Sequence, residues 1–571
     1  MTRTIYRVVK EEKKRVIQME DYDLITLYTG DIQQANSGSP VPDESRYFTR
    51  ASYPSRQVAS PQSPLPSLIK SKSSEPSISS SPGPLTPPSY NEVLSKRPDE
   101  QLYCPESAPV YNLYNEINEE QRRLLADPRV LQQVERFKKA QENLPKTYYG
   151  AFAPVGLHIL QYGLSAQTSD IAGNADFLVG DSKQLEDWLT TGNGDKLFLL
   201  RDPDWLQTRP EAYGSTILEE LRTTAIDRRE MQIEVQHLGK LMSADKDNHS
   251  VEPMAIDQVI EQFATRAESE APINLLSLMC RADGTVPWPL AKHCNLLNQA
   301  AVSAASLAQS SFYATAGKQA TEVISKYIDL QSCMHFMIFG QAGAISSWHM
   351  DSIGPYTYIT LEPNAKGQPP EDVLKLWAYV RTDHLSPLEQ SQIKSEFQRT
   401  GLAYHPDPSL VRILALTAGD TLIMPPGTIH APITITDCLF RGGMVMQKKQ
   451  MRRSIREWRF CAENDICTNE DQPKQARTIL DYFRRQVRAN PESCGYLGPL
   501  GLDEFERDCI AIGGNSMSCR CASACKKGRC GCANNTQRCG AKCHKGVTRC
   551  DNPFGCEADV LVPQSPETKT E

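Results

Sequence analysis

The alternation of apolar and polar residues changes character several times along this chain. From about 115 to 144, EINEEQRRLLADPRVLQQVERFKKAQENL repeats its apolar residues at helical spacing, and Pro128 interrupts the repeat. Two short helices joined at Asp127 are predicted, because proline suits a first helical turn but not a helix interior. ADFLVGDSKQLEDWLTTGNGDKLFLLRDPDW then mixes a helix with a short apolar strand, KLFLL. Helical spacing dominates 215 to 330, with the apolar run PINLLSL from Pro272 embedded in it. Three later segments read as short strands separated by Gly and Pro turns: MHFMIFGQAGAISSWHMDSIGPYTYITLEPN, VLKLWAYV and LALTAGDTLIMPPGTIHAPITITDCLFRGGMVMQ. That texture predicts a double-sheet barrel. The insert at 381–410 predicts a helical excursion between strands, and QARTILDYFRRQVRAN predicts one amphipathic helix.

Other stretches carry no such period. Residues 60–90 contain eleven serines and eight prolines, a composition that cannot bury enough apolar area to offset ordering entropy, so 36–100 is expected to be disordered. Within it, Pro87 to Tyr90 (PPSY) fits a WW-domain ligand, and Ser60, Ser63, Ser81 and Thr86 precede prolines as phosphorylation candidates. No run approaches the roughly 18 apolar residues needed to cross a bilayer, and the first residues lack a secretory pattern. No membrane contact and an intracellular, soluble protein are therefore expected.

Length and charge narrow the picture. At 571 residues the chain is expected to hold two or three domains, and a net charge of −7 confines any nucleic-acid contact to a local patch. The 18 cysteines fall into two sets of nine. Those from Cys104 to Cys509 are scattered and read as small buried residues. The others are Cys519, Cys521, Cys525, Cys530, Cys532, Cys539, Cys543, Cys550 and Cys556, spaced C-x-C-x3-C-x4-C-x-C-x6-C-x3-C-x6-C-x5-C. In a reducing compartment such density points to metal rather than disulfides. Nine thiolates satisfy three tetrahedral zinc ions if six are terminal and three bridge.

This tail resembles the CXC, or tesmin-like, cysteine-rich domains of chromatin proteins, through KKGRCGC at Lys526 to Cys532 and CDNP at Cys550 to Pro553. It departs after Cys543, where His544 stands as a rival ligand to the nine cysteines. Arg520, Lys526, Lys527, Arg529, Arg538, Lys542, Lys545 and Arg549 face one acid, Asp551, which is formally +7. The resemblance implies zinc binding and DNA contact; a merely solvated basic face is the plainer alternative.

In the strand-rich centre, His349 and Asp351 form an H-x-D, two side chains on one face of a strand. His430 follows 81 residues later, and two histidines with one carboxylate make the facial triad of non-haem Fe(II) oxygenases. An H-x-D alone is common. The ordered set FGQAGA, SSWHMD, KLW, AGDTLIMPPGTIHAP and RGGMVM is far more specific, and it resembles the JmjC family of cupin-type dioxygenases over roughly 270–450. The resemblance implies a double-stranded β-helix with flanking helices, an α+β multidomain chain overall. It implies Fe(II) on His349, Asp351 and His430, and 2-oxoglutarate paired through its distal carboxylate with Lys375, Lys366 being a rival. Ser346 would supply a hydroxyl to the same cosubstrate, and either Tyr358 or Thr360 a further one.

The activity implied is oxidation of a C–H bond coupled to conversion of 2-oxoglutarate to succinate. On an N-methyl group it ends in loss of formaldehyde, which is demethylation; on an ordinary carbon it leaves a stable alcohol. A histone or other chromatin protein is the implied substrate. The basic run Lys448, Lys449, Arg452, Arg453, Arg456 and Arg459 reads as nuclear import signal, phosphate contact or solvated helix face, and with the tail it favours the nucleus. The expected organisation is 1–110 disordered, 111–270 helical and mixed flank, 271–450 barrel, 451–515 helical linker, 516–558 zinc domain and 559–571 tail. A recruiting protein whose barrel no longer turns over is the alternative of another class.

Overall fold

The structure is a computed structural model that describes residues 108–191, 194–208, 216–228, 232–242, 251–267, 270–279, 286–303, 334–365, 367–470, 472–473 and 475–515, with Cys530, Cys532, Cys539 and Cys543. The serine- and proline-rich segment, PPSY, Lys366, His544 and the other five tail cysteines lie outside the described residues.

Two helices meet where the broken apolar repeat predicts. They are α1 (Ala108–Leu125) and α2 (Pro128–Asn143), with Pro128 in the first turn and Asp127 as N-cap, accepting from Arg129 N at 2.8 Å. A third, α3 (Tyr148–Tyr162), is capped by Thr147. Strands begin immediately after it: β1 (Leu164–Ser165), β2 (Phe177–Gly180), β3 (Leu197–Leu200), β4 (Gln232–His237), β5 (Val251–Ala255) and β6 (Ile273–Met279). Over the described part of 215–330, which leaves out 304–330, helix dominance therefore holds only in part, since β4, β5 and β6 interrupt it. Their five to seven residues are too short to outweigh the helical repeats on either side, at Ile217–Arg228 and Ile256–Thr265. The remaining strands are β7 (Phe336–Gly340), β8 (Tyr356–Leu361), β9 (Leu374–Val380), β10 (Val411–Thr417), β11 (Thr421–Met424), β12 (His430–Thr434) and β13 (Cys438–Val445). Between β9 and β10 runs the expected excursion, α4 (Pro387–Thr400), opened by a capping box of Ser386 and Glu389. After β13 come α5 (Met451–Glu463), α6 (Ala476–Ala489) and α7 (Gly498–Asn515).

The strands form a four-stranded sheet, β1-β10-β9-β12, and a nine-stranded sheet, β2-β3-β11-β8-β13-β7-β6-β4-β5. Strands from 164 to 255, ahead of the expected boundary at 271, thus take part in both sheets. The result is a mixed α+β fold. The sheets share one core: Trp377, Tyr379, Leu414 and Leu416 from the smaller pack with Ile359, Leu361, Leu422, Met424 and Phe440 from the larger. Trp377 Nε1 donates to Met424 Sδ across this space at 3.0 Å. The other face of β9, Leu374, Leu376, Ala378 and Val380, packs on Phe137, Phe152 and Ile159 of α2 and α3. Strand β9 is thus buried on both faces, which is why VLKLWAYV reads as a nearly continuous apolar run with one lysine in it.

Candidate metal centres

His430 opens β12, after a turn in which Thr428 Oγ1 donates to Pro425 O at 2.8 Å. The segment before Asp351 lies beside it: His349 N donates to His430 O at 3.0 Å and His430 N to His349 O at 2.9 Å. This reciprocal backbone pair sets the two imidazoles side by side, ring centroids 4.2 Å apart. Each ring is also fixed in orientation. His349 Nδ1 lies 2.7 Å from Ser347 O and His430 Nδ1 3.0 Å from Thr428 O. With Nδ1–H donated to a carbonyl, the lone pair falls on Nε2, the tautomer a metal needs. Trp377 stacks on the His430 ring at 5.3 Å and 13°.

Asp351 completes the group. Its Oδ1 lies 3.8 Å from His430 Nε2, while Thr357 at the start of β8 donates its hydroxyl to Oδ2. One donor atom from each of the three residues lies within 4.8 Å of the others. Between Asp351 and β8 the chain turns tightly against α5. Gly354 there has φ of +62°, and a Cβ would come 2.1 Å from Ser454 O, so only glycine fits. Burial holds His349 down to about 3 and His430 down to about 4, so both are neutral at physiological pH. The same burial pushes the Asp351 carboxyl up. Two neutral imidazoles and a carboxylate disfavoured without a cation are the chemistry of an N2O metal site.

Lys375 is 4 % exposed on β9, where it pairs in register with Thr434 of β12, and Tyr379 of β9 pairs with His430. Residues two and four apart share a strand face, so Lys375, Trp377, Tyr379, His430 and Thr434 face the same inter-sheet space. Lys375 Nζ donates to Thr434 Oγ1 at 2.9 Å and sits 4.6 Å from the Phe440 ring centre. Among the described residues no carboxylate pairs with it, and burial holds its ammonium below the usual lysine range. A buried cation supported by one hydroxyl and one ring suits an incoming carboxylate. Ser346 N donates to Pro432 O at 3.2 Å, which places Ser346 beside β12 two residues from His430.

Tyr358 and Thr360 are not brought to the triad. Strand alternation is the reason: Thr357, Ile359 and Leu361 face the shared core, whereas Tyr358 packs outward with Leu185, Trp188 and Tyr356. Thr360 Oγ1 meets Thr421 Oγ1 at 2.8 Å, and Trp205 Nε1 lies 3.4 Å from the latter on that outer side. The hydroxyl at the site is Thr357, the residue of the opposite parity. The sequence also gives no signal for the support behind Asp351. Cys461 Sγ donates to Asp351 O at 3.7 Å, Met350 N to Cys467 O at 2.9 Å, and Ser352 N to Glu470 Oε2 at 3.0 Å. Enclosure and the neighbouring Asp351 charge push Glu470 up to about 7.

The four described tail cysteines are buried, three of them, Cys530, Cys532 and Cys539, with sulfurs within 4.8 Å of one another. Cys530 and Cys539 sulfurs are 3.8 Å apart, Cys532 and Cys543 sulfurs 3.5 Å. These are not disulfide distances, for an S–S bond is about 2.0 Å. They match the edge of a tetrahedron around zinc, since Zn–S of about 2.3 Å gives S···S of about 3.8 Å. The basic run has a use in packing. Arg452 pairs with Glu504 at 2.6 Å and Arg459 with Asp508 at 2.9 Å, joining α5 to α7, while Arg453 and Lys449 donate to Gly194 O and Thr190 O.

No family model matches the chain. Among curated proteins, "JmjC domain-containing histone demethylation protein 1" of Cryptococcus neoformans var. neoformans serotype D is 31% identical over 125 residues, which is 21% of this chain. The chain spans only 13% of that protein's length. This distant, partial similarity supports a JmjC domain in the present chain, and the described residues hold two groups that could bind a metal ion.

Proposed function

We propose that this protein is an Fe(II)- and 2-oxoglutarate-dependent dioxygenase of the JmjC type, built on a double-stranded β-helix, that oxidises a histone or another chromatin protein in the nucleus. The observation that carries the reading is the convergence of His349, Asp351 and His430, with both Nδ1 atoms already committed to carbonyls. The relative's printed name, which speaks of histone demethylation, supports the substrate class.

On this reading the oxygenase unit takes in the strands from 164 onward as well as 271–450, followed by the helical linker 451–515 and the zinc domain 516–558. His349 and His430 bind the iron through Nε2 and Asp351 through a carboxylate oxygen whose partner oxygen Thr357 holds. Lys375 binds the distal carboxylate of 2-oxoglutarate, and Ser346 offers a hydroxyl to the same molecule. Trp377, stacked on His430, keeps the ring from turning and excludes water from that side. Bound iron with 2-oxoglutarate supplies the oxidation: O2 and the oxo acid are consumed, and succinate, CO2 and a hydroxylated carbon are formed. Where that carbon is an N-methyl group, the product sheds formaldehyde. Zinc held by the nine tail cysteines orders the eight lysines and arginines between Arg520 and Arg549 into a basic surface for DNA, and PPSY offers a WW-domain ligand.

The test is purified full-length protein with Fe(II), 2-oxoglutarate and a panel of methylated histone peptides. Substrate-dependent succinate with loss of one CH2 from a peptide is expected; succinate with a gain of one oxygen instead assigns a hydroxylase. No succinate from iron-loaded protein on any substrate overturns the enzyme reading in favour of a recruiting scaffold.

A further inference from the structure

Arg477 stands in the first turn of α6 and is 1 % exposed. Its Nη2 and Nε donate to Gly513 O at 2.8 and 3.1 Å, in the last turn of α7. Its Nη1 lies 3.3 Å from Cys532 Sγ and 3.8 Å from Cys543 Sγ. One side chain thus joins the start of one helix, the end of another and the cysteine cluster. The helices themselves are not peripheral: Ile479, Leu480 and Phe483 of α6 and Phe505, Cys509 and Ile512 of α7 belong to the same core as Trp377, Phe440 and Met444 of the sheets.

A guanidinium with this little exposure gains most from anionic partners, and sulfur is a strong acceptor when it is a thiolate on a metal. The planar fork lets one arginine serve a carbonyl and two sulfurs at once, which an ammonium does less well. We infer that the tail is a thiolate–zinc cluster docked on the catalytic unit through Arg477, so that its metal stabilises α6 and α7, instead of a knuckle on a free tether. This rests on the zinc reading given above and adds to it a donor to the cluster's sulfurs. Arg477 acts here as a positioning residue: it touches the ligand sulfurs and not the metal.

The test uses full-length, zinc-loaded protein, with zinc counted by native mass spectrometry and its transfer to a chromogenic chelator followed in time. Arg477→Met is expected to release zinc about tenfold faster or more, the usual cost of losing a hydrogen bond to a metal's ligand, and Arg477→Lys to fall between it and the wild type. Hydrogen exchange of the wild-type chain is expected to speed up across 476–489 when zinc is removed. Zinc transfer at the wild-type rate from Arg477→Met overturns the docking while leaving zinc binding in place. Wild-type protein that holds no zinc overturns both. If Arg477→Met does not fold, the exchange measurement decides: protection of 476–489 indifferent to zinc removal overturns the docking.

Discussion

The two candidate metal centres differ in the contacts that the described residues bring to them. At His349, Asp351 and His430 the backbone does the positioning, through the reciprocal bonds between His349 and His430 and the strand that carries Thr357. Among the described tail residues, the contacts run from sulfur to sulfur, Cys530 to Cys539 and Cys532 to Cys543, and from Arg477 to Cys532 and Cys543. The first site is part of a sheet core; on the zinc reading, the second would draw its order from the metal it binds. A preformed site loses chemistry when its metal goes, whereas a ligand-ordered one loses structure.

Stripping all metal is the sharpest way to break that contrast. The amides of His349 and His430 are expected to stay protected from exchange, while those of Cys539 and Cys543 fall to unfolded-chain rates, read by hydrogen-exchange mass spectrometry. Equal protection at both sites would erase the distinction. Next in size, His349→Ala or Asp351→Ala should reduce succinate formation about a thousandfold or more, since metal assistance is worth several kcal/mol, with the chain still folded by circular dichroism. Lys375→Met should raise the KM for 2-oxoglutarate about 10- to 100-fold, the cost of losing a charge-assisted bond of roughly 1.5–3 kcal/mol. It should leave thermal stability intact or improved, because it removes a buried cation.

The smallest contrast concerns strand parity. Thr357→Val should weaken Fe(II) binding about tenfold by freeing the Asp351 oxygen. Thr360→Val, three residues on, should leave iron affinity unchanged and cost only about 1 kcal/mol of stability for its bond to Thr421. Equal effects on iron from the two variants would contradict the facing of β8.

Much of this was readable in the chain before any coordinates. The break at Pro128, the KLFLL strand, the excursion at 387–400 and the amphipathic helix at 476–489 follow from local periodicity and capping, and the structure has them. The triad residues could be proposed because the ordered motifs around them resemble a known family; with ten histidines in the chain, an H-x-D alone would not have singled them out. Parity on β8 could not be read: YTYITL is buried on both faces, so no polar alternation marks which side holds the metal. Nor could the support from Cys461, Cys467 and Glu470, which lie 110 or more residues from the Asp351 loop and carry no motif. The basic run misleads for a related reason. Sequence shows six cations but not Glu504 and Asp508, the acids of α7 that face Arg452 and Arg459.

The central claim, that these residues form an iron and 2-oxoglutarate site, is met most directly by anaerobic calorimetry of the full-length protein. One Fe(II) per chain is predicted, with 2-oxoglutarate binding only to the iron-loaded form and about 10- to 100-fold more weakly to Lys375→Met. Binding of 2-oxoglutarate that is absent from iron-loaded protein, or indifferent to both iron and Lys375, would contradict it.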